Sequence, residues 1–552
     1  MTIDSQHKYY EQLTYPIILQ HGEYGWHKDD SELVSCATYA RGRLMIPEVM
    51  PMTPDLRTYV DPLNFGDATK TVNWKTAFLL YETEVNHFRQ DHDDDAYPQR
   101  MKRGTVATRI PCSRAQKVPW CSQEYVLDSY CRVEEDRLRG HRDNQARILR
   151  PGRTARAGDE NRTILPSSHH GSRRFMTNKT ADALSVVTAR GKPMFFITVT
   201  LNTYWHEVKA AIPKGSSPYD YAELSDRIFK AKLDALKTRL FTGAIWGPHC
   251  VDADGNWTCR IDAPGGSGYM IDVIEFQNRG MPHAHIVVRF ANPPSGCKEE
   301  YEADEPAEWL DRYTCGRKPT YEVLIDFAMI YRKDTHDTSV PERDSTFDDD
   351  DFFNNHYRVH PQLARSLMLT KHQFYGVEPK PSDVLRHLRM LVLGRDTPNF
   401  PMYSHRGPLE HGPHPSNTAP DPKSRIANTP KCKVGKDGVT CKSGFPFEPN
   451  PTTHIGEDGY ARLKRHEGDE YIVPYNPWFL MEFESHINVE FAASSHCITY
   501  LYKYLFKGSR GEPIRFQFGD ANATETVHVD ETKEYWTGKV TSASEAWWRS
   551  MS

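Results

Sequence analysis

The 552-residue chain lacks any run of about 18 apolar residues, so its sequence offers no helix able to cross a bilayer. Its first residues, MTIDSQHKYYEQL, lack a basic stretch followed by an apolar one, and no secretory signal is legible. A cytosolic or nuclear location is expected. Cysteine is sparse: eleven residues, an odd number, with no C-x-x-C pair. That pattern argues against a disulfide framework and for reduced thiols, with room for one metal cluster. No G-x-x-x-x-G-K-[ST] phosphate loop occurs, so the chain cannot hydrolyse ATP through that machinery. Charge of one sign is also lacking. The net is only −5, which by itself announces no nucleic-acid binder. What remains is an ordinary composition, 38% hydrophobic and 26% charged, with 38 Pro and 34 Gly for long polar connections. The length suggests three or four domains, or fewer large ones.

The small net charge hides a segregation. From Arg132 to Arg174 there are eleven Arg, six acids and no Lys, while Asp348 to Asp351 is an acidic run. Arg forks onto phosphate, so this segment is a candidate DNA contact, with Arg132, Arg137, Arg139, Arg173 and Arg174 in it. A solvated helix face would show the same charges.

Patterning divides the chain into an N-terminal arm (1–110), a basic helical segment (111–180), a first core part (181–295), an acidic insertion (296–375), a core helix (376–400), a Pro/Gly/His/Lys-rich insertion (401–470), a second core part (471–510) and a polar tail (511–552). PMFFITVTLN reads as a buried strand and YAELSDRIFKAKLDALKTRL as an amphipathic helix.

Two constellations carry chemistry. YMIDVIEFQNRGMPHAHIVVRF reads as two strands joined by Asn278-Arg279-Gly280, with Gly where a left-handed conformation is needed. That turn sets Phe276 opposite Pro282, Glu275 opposite His283 and Val273 opposite His285, and side chains alternate with period two. Glu275, His283 and His285 therefore converge on one face. They can hold a divalent cation (Mg2+ or Mn2+), with Gln277 on the same parity as an alternative third ligand. An H-x-H pair alone says little, since two half-buried histidines satisfy it. In CITYLYKYLFKG a helical projection gathers Ile498, Leu501, Tyr502 and Leu505 on one side, and Tyr500, Lys503, Tyr504 and Lys507 on the other. Lys charges beside paired phenols favour phenolate, a suitable nucleophile, although an amphipathic helix with Tyr at its rim gives the same pattern. Combined, the two motifs suggest in-line attack of a Tyr oxygen on a phosphate polarised at the His face, leaving a 5′-phosphotyrosine and a free 3′-hydroxyl.

The two motifs together resemble an HUH endonuclease, specifically the Rep nuclease domain of Helitron rolling-circle transposases. Further segments share the resemblance: QLTYPIILQHGEYGW (12–26), QEYVLDSYCRVEEDRL (123–138), ILPSSHHGSRRFM (164–176), GKPMFFITVTLNTYWHEV (191–208) and VPYNPWFLMEFESHINVEF (473–491). The resemblance implies that His283 and His285 are metal ligands and that Tyr500 and Tyr504, with Lys503 beside them, are the catalytic nucleophiles. Glu275 as third ligand comes from strand pairing. Thr198, Thr200 and Asn202 would form a strand motif beside the metal face, and Trp205 is expected to pack in the core rather than stack on a base. The implied fold is α+β, an HUH nuclease core with a central antiparallel sheet flanked by helices, together with an N-terminal domain and a metal-stabilised insertion. The implied setting is nuclear, with single-stranded DNA, transposon ends and target as partners and a helicase domain expected C-terminal in the full-length protein.

His411, His414, Cys432 and Cys441 form a loosely spaced set suited to a structural Zn2+. His405 competes, and relatives have Cys where His414 stands, so the ligand set stays open. Cys112, Cys121 and Cys131 read as free thiols. Substrate contact should run through the Arg segment, Lys503 and Lys507, with unpaired bases stacking on aromatic rings. Two other classes compete: a catalytically inactive or domesticated DNA-binding relative, and a metallohydrolase with purely structural tyrosines. The intact Glu/His/His/Tyr/Tyr set favours the nuclease over the first, and the second has no account of two Lys beside two Tyr.

Overall fold

The computed structural model describes residue 36 and, with short interruptions, residues 119–145, 163–276, 280–333, 350–394, 409–411, 441, 444–492 and 530–551. Its centre is a four-stranded antiparallel sheet. The strands are β1 (Phe195–Thr200), β2 (Ser267–Phe276), β3 (Pro282–Phe290) and β4 (Ile487–Phe491), in the order β4-β1-β3-β2. Two strands from one hairpin and two distant segments thus make one surface.

Alternation in FFITVT explains the two faces of that sheet. Phe195, Ile197 and Val199 point one way with Ala284, Ile286, Val288, Ile487 and Val489, all in the principal core. Leu224, Ile228, Leu233, Leu236 and Leu240 of the amphipathic helix α3 (Ala222–Thr242) join them there. Phe196, Thr198 and Thr200 point the other way, where Phe196, Val273, Val287 and Ala492 form a small apolar patch and Tyr269 packs with Ala183 and Val187. The expected hairpin is present. Phe276 pairs with Pro282, Glu275 with His283 and Val273 with His285, and Gly280 has φ +82°. Pro282 begins its strand, a position that needs no N–H donor.

The stretch read as an acidic insertion is not peripheral. Leu310, Tyr313, Cys315, Tyr321, Leu324 and Phe327 lie in the same principal core as the sheet. Short elements with irregular apolar spacing can bury as well as long periodic ones once a sheet face is available. The core helix expected near Val384 is α4 (Pro381–Leu393), and α5 (Pro477–Phe483) leads into β4.

The basic segment forms α1 (Pro119–Asp143) and α2 (Arg173–Arg190). Two C-terminal helices, α6 (Glu531–Thr537) and α7 (Ala543–Met551), return to this region, and α7 packs between α1 and α3. On α3, Asp226 is fully buried and accepts a hydrogen bond from Ser544 Oγ at 2.5 Å, while its Oδ2 has no partner. Burial holds the Asp226 carboxyl well above the ordinary range, against the Ser544 hydrogen bond and with help from Glu223. A raised carboxyl pKa means that the folded state binds the proton more tightly, so stability falls as pH climbs above about 4, the unfolded value. Asp226→Asn should therefore melt a few degrees above the parent at pH 8, with the gap closing below about pH 4. Equal melting curves at pH 8 would refute this.

Candidate functional site

The second sheet face carries a polar field built by register. Thr200 pairs with His283 and Thr198 with His285 across β1 and β3. Glu275 lies opposite His283 on the other side, across β2 and β3. Both histidines are buried, at 7% and 6% exposure. Burying two imidazoles is costly unless their ring nitrogens are satisfied, and the threonines supply partners. Thr200 Oγ1 lies 2.9 Å from His283 Nδ1, and Thr198 Oγ1 lies 3.2 Å from His285 Nδ1.

His285 Nε2 stands 3.1 Å from Glu275 Oε2. Two proton arrangements suit that pair. Either Nε2–H donates to the carboxylate, or Nδ1–H donates to Thr198 and the two facing lone pairs call for a shared proton or cation. Two donors about 2.1 Å from one octahedral cation, at right angles, stand about 3 Å apart, so the spacing fits such an ion. The His283 imidazole is pushed down to about 3 by burial first, then by the neighbouring charges of His285 and His486, so it is neutral at physiological pH and keeps a lone pair. The donor set thus fits a divalent cation in chemistry. Among the described residues, however, no group of three or more His, Cys, Asp or Glu is gathered as a ready metal cage.

A threonine that holds an imidazole tautomer acts on the ligand indirectly. Thr200→Val keeps shape and removes the hydroxyl. It should lower cation affinity about 10-fold or more, read by calorimetric titration with Mn2+. An unchanged affinity would show that Thr200 merely packs.

Asn202 serves the turn, not the face of the histidines. Its Nδ2 donates to the Glu484 carbonyl at 2.6 Å, and its Oδ1 accepts from Tyr204 N. Trp205 is 2% exposed and donates to the Phe483 carbonyl, as expected of a core residue. Glu484 itself has φ +46°, a left-handed conformation uncommon outside Gly, at the turn from α5 toward β4.

Residues 115–288 match the model of the family described as the Helitron helicase-like domain at N-terminus. This stretch is Helitron-related. It is about a third of the chain and holds β1, β2, most of β3, Glu275, His283 and His285. Among curated proteins none matches.

The Helitron-related stretch also holds the basic helices. Arg132 is buried at 6% exposure, a poor position for gripping phosphate. The other arginines share their charge with carboxylates: Arg137 with Glu134 at 2.8 Å, Arg139 with Glu135 at 3.3 Å, Arg173 with Glu534 at 3.7 Å and Arg174 with Glu531 at 2.7 Å. The last two acids come from α6, beyond the matched stretch. Of the zinc set, Cys441 Sγ and His411 Nε2 are brought to 3.8 Å, close to the roughly 3.6 Å edge of a tetrahedral S/N zinc site. His414, Cys432, His405, Gln277, Tyr500, Lys503, Tyr504 and Lys507 lie outside the described residues, as do Cys112 and the side chain of Cys121.

Sequence reasoning passed over β4. Thr198 pairs with Asn488, and Thr200 N donates to the His486 carbonyl, so His486, Asn488 and Glu490 share the face of the histidines. The signal was available as H-x-N-x-E in ESHINVEF, alternating polar residues inside an otherwise apolar strand.

Proposed function

We propose that this chain nicks single-stranded DNA and transfers the cut strand during Helitron transposition, through a 5′-phosphotyrosine intermediate and with a divalent cation. The observation that carries the reading is the transverse alignment of Glu275, His283 and Thr200, with His285 and Thr198 in the next row, on the polar face of the sheet. His283, His285 and Glu275 would hold the cation, which when bound supplies Lewis-acid polarisation of the scissile phosphoryl group. Thr198 and Thr200 keep the two imidazoles oriented. Tyr500 or Tyr504 supplies the attacking oxygen. Its bond to phosphorus forms as the bond to the 3′ oxygen breaks, and the phosphotyrosine conserves the energy of the ester so that a 3′-hydroxyl can later reverse the step. Lys503 and Lys507 favour the phenolate form. Tyr500 follows the end of β4 by nine residues, a tether of up to about 30 Å, enough to return across the sheet to the histidines. DNA would exchange with the carboxylates that now pair Arg137, Arg139, Arg173 and Arg174, and the product would act in the nucleus on transposon ends and target.

The test is a labelled single-stranded oligonucleotide incubated with the chain and Mn2+ or Mg2+, then run on a denaturing gel. A labelled band at the protein's mass that survives denaturant supports the reading, and cation-dependent binding with no adduct rejects it. That second outcome belongs to the other reading, a catalytically inactive or domesticated DNA-binding relative. It is favoured by one observation, the lack of a gathered three-ligand cage among the described residues.

A further inference from the structure

We infer that the C-terminal helix α7 is the brace that fixes the pose of the β2–β3 hairpin, and that Trp548 and Ser542 are thereby positioning residues for Glu275 and His283. The inference rests on the nicking reading above and extends it to residues far outside the Helitron-related stretch.

The need for a brace follows from the register. Strand β2 lies at the edge of the sheet, and β1 ends at Thr200, whose partner is His283. Past that pair the ladder between β1 and the hairpin continues through one hydrogen bond, from Leu201 N to the Pro282 carbonyl at 3.3 Å. The tip that carries Phe276, Gly280, Met281 and Pro282 therefore projects beyond β1 as a two-stranded ribbon, and such a ribbon is marginal unless something packs on it. Glu275 and His283 form the last rung before the overhang, so a swing of the ribbon is felt at their side chains.

What packs on it is α7. Period two puts Ile274 and Phe276 on the apolar side of β2, opposite to Glu275. There the Phe276 ring meets the Trp548 indole edge-on, with centroids 6.1 Å apart, and Phe276 and Met281 are both buried. The same indole reaches the Phe229 ring at 6.3 Å and lies 5.7 Å from Lys230 Nζ, both on α3. At the tip, a Cβ on Gly280 would stand 3.2 Å from Ser542 Cβ, so the turn backbone rests against the residue that precedes α7. Ser542 is fixed in its turn, because its Oγ caps the helix by accepting from Glu545 N at 3.1 Å. The footing of α7 lies elsewhere, between α1 and α3, where Ala546 and Trp547 are buried and Ser544 donates to Asp226. A brace requires such a footing, independent of the part it holds.

The brace stands on the apolar side of the hairpin, and its effect is read on the polar side. A reacting group displaced by about 1 Å can cost roughly 100-fold in rate, even when the cause is remote. Loss of the indole frees the overhang, and Glu275 and His283 move with it, so turnover suffers while DNA affinity does not.

The test uses the full 552-residue chain and two readouts. Amide hydrogen exchange over residues 270–285, followed by mass spectrometry without DNA, should rise about tenfold in Trp548→Ala. It should stay parent-like in Ser544→Ala, which loosens α7 at Asp226 without touching the hairpin. With a labelled single-stranded oligonucleotide and Mn2+, Trp548→Ala should slow adduct formation at saturating DNA by about 10- to 100-fold and leave the half-saturating concentration within about threefold. Trp548→Phe, which keeps a ring against Phe276, should regain most of that rate. A folded Trp548→Ala with parent exchange or parent rate overturns the assignment, and so does an equal loss in Ser544→Ala. Should Trp548→Ala fail to fold, Ser542→Thr decides, since it keeps the helix cap and adds one methyl beside Gly280. A lowered rate there supports the assignment and a parent rate overturns it. A parent that forms no adduct, while exchange still rises in Trp548→Ala, would instead sink the nicking reading and leave the brace standing, which separates the two failures.

Discussion

Replacing both Tyr500 and Tyr504 by Phe is expected to reduce the denaturant-resistant DNA adduct to below detection, while each single replacement leaves some. The double variant keeps both rings and loses only the oxygens, so the effect would report chemistry. A phenolic oxygen is the sole atom that can form the proposed phosphotyrosine, and a helical projection sets the remaining phenol of the segment, Tyr502, on the opposite side. The singles carry separate information, because whichever Phe variant loses more adduct names the tyrosine that attacks first. An undiminished adduct in the double variant would reject the assignment outright.

Removing both imidazoles, His283→Ala with His285→Ala, should lower nicking by about 1,000-fold or more and abolish calorimetric Mn2+ binding. Polarisation of a phosphoryl oxygen by a held cation is worth several kcal/mol of transition-state stabilisation, and each 1.36 kcal/mol is tenfold in rate. The face these residues occupy is the polar one, opposite the principal core, so the sheet should persist in the variant. Far-ultraviolet circular dichroism and a parent-like urea midpoint would confirm that. Nicking at the parent rate would mean that the histidines only satisfy each other's threonines, Thr198 and Thr200, as buried polar groups do.

Much of this face was legible beforehand because a hairpin is a local object. Once Asn278-Arg279-Gly280 is read as the turn, period-two alternation leaves no freedom, and Glu275 must oppose His283. The strand at Phe195–Thr200 and the helix at Ala222–Thr242 were equally plain, since their apolar spacing extends over enough residues to be unambiguous. The surroundings were not. Nothing in the spacing of residues 305–330 announces a core segment, yet Leu310, Tyr313 and Leu324 are fully or almost fully buried, because the sheet's apolar face supplies the neighbours that short elements cannot supply for themselves. The partners of the arginines were equally hidden. Glu531 and Glu534 return from more than 350 residues away to pair with Arg174 and Arg173.

The linear chain by itself determined the hairpin, its facing carboxylate and imidazoles, and the chemistry those groups could perform, for each depends only on neighbours within about a dozen positions. Tertiary structure alone decided that β1 lies between β3 and β4, so that Thr200 stands between His283 and His486. Pairing between strands nearly three hundred residues apart, as β1 and β4 are, is selected by burial of one shared apolar face, and no local pattern encodes which distant strand will complete it.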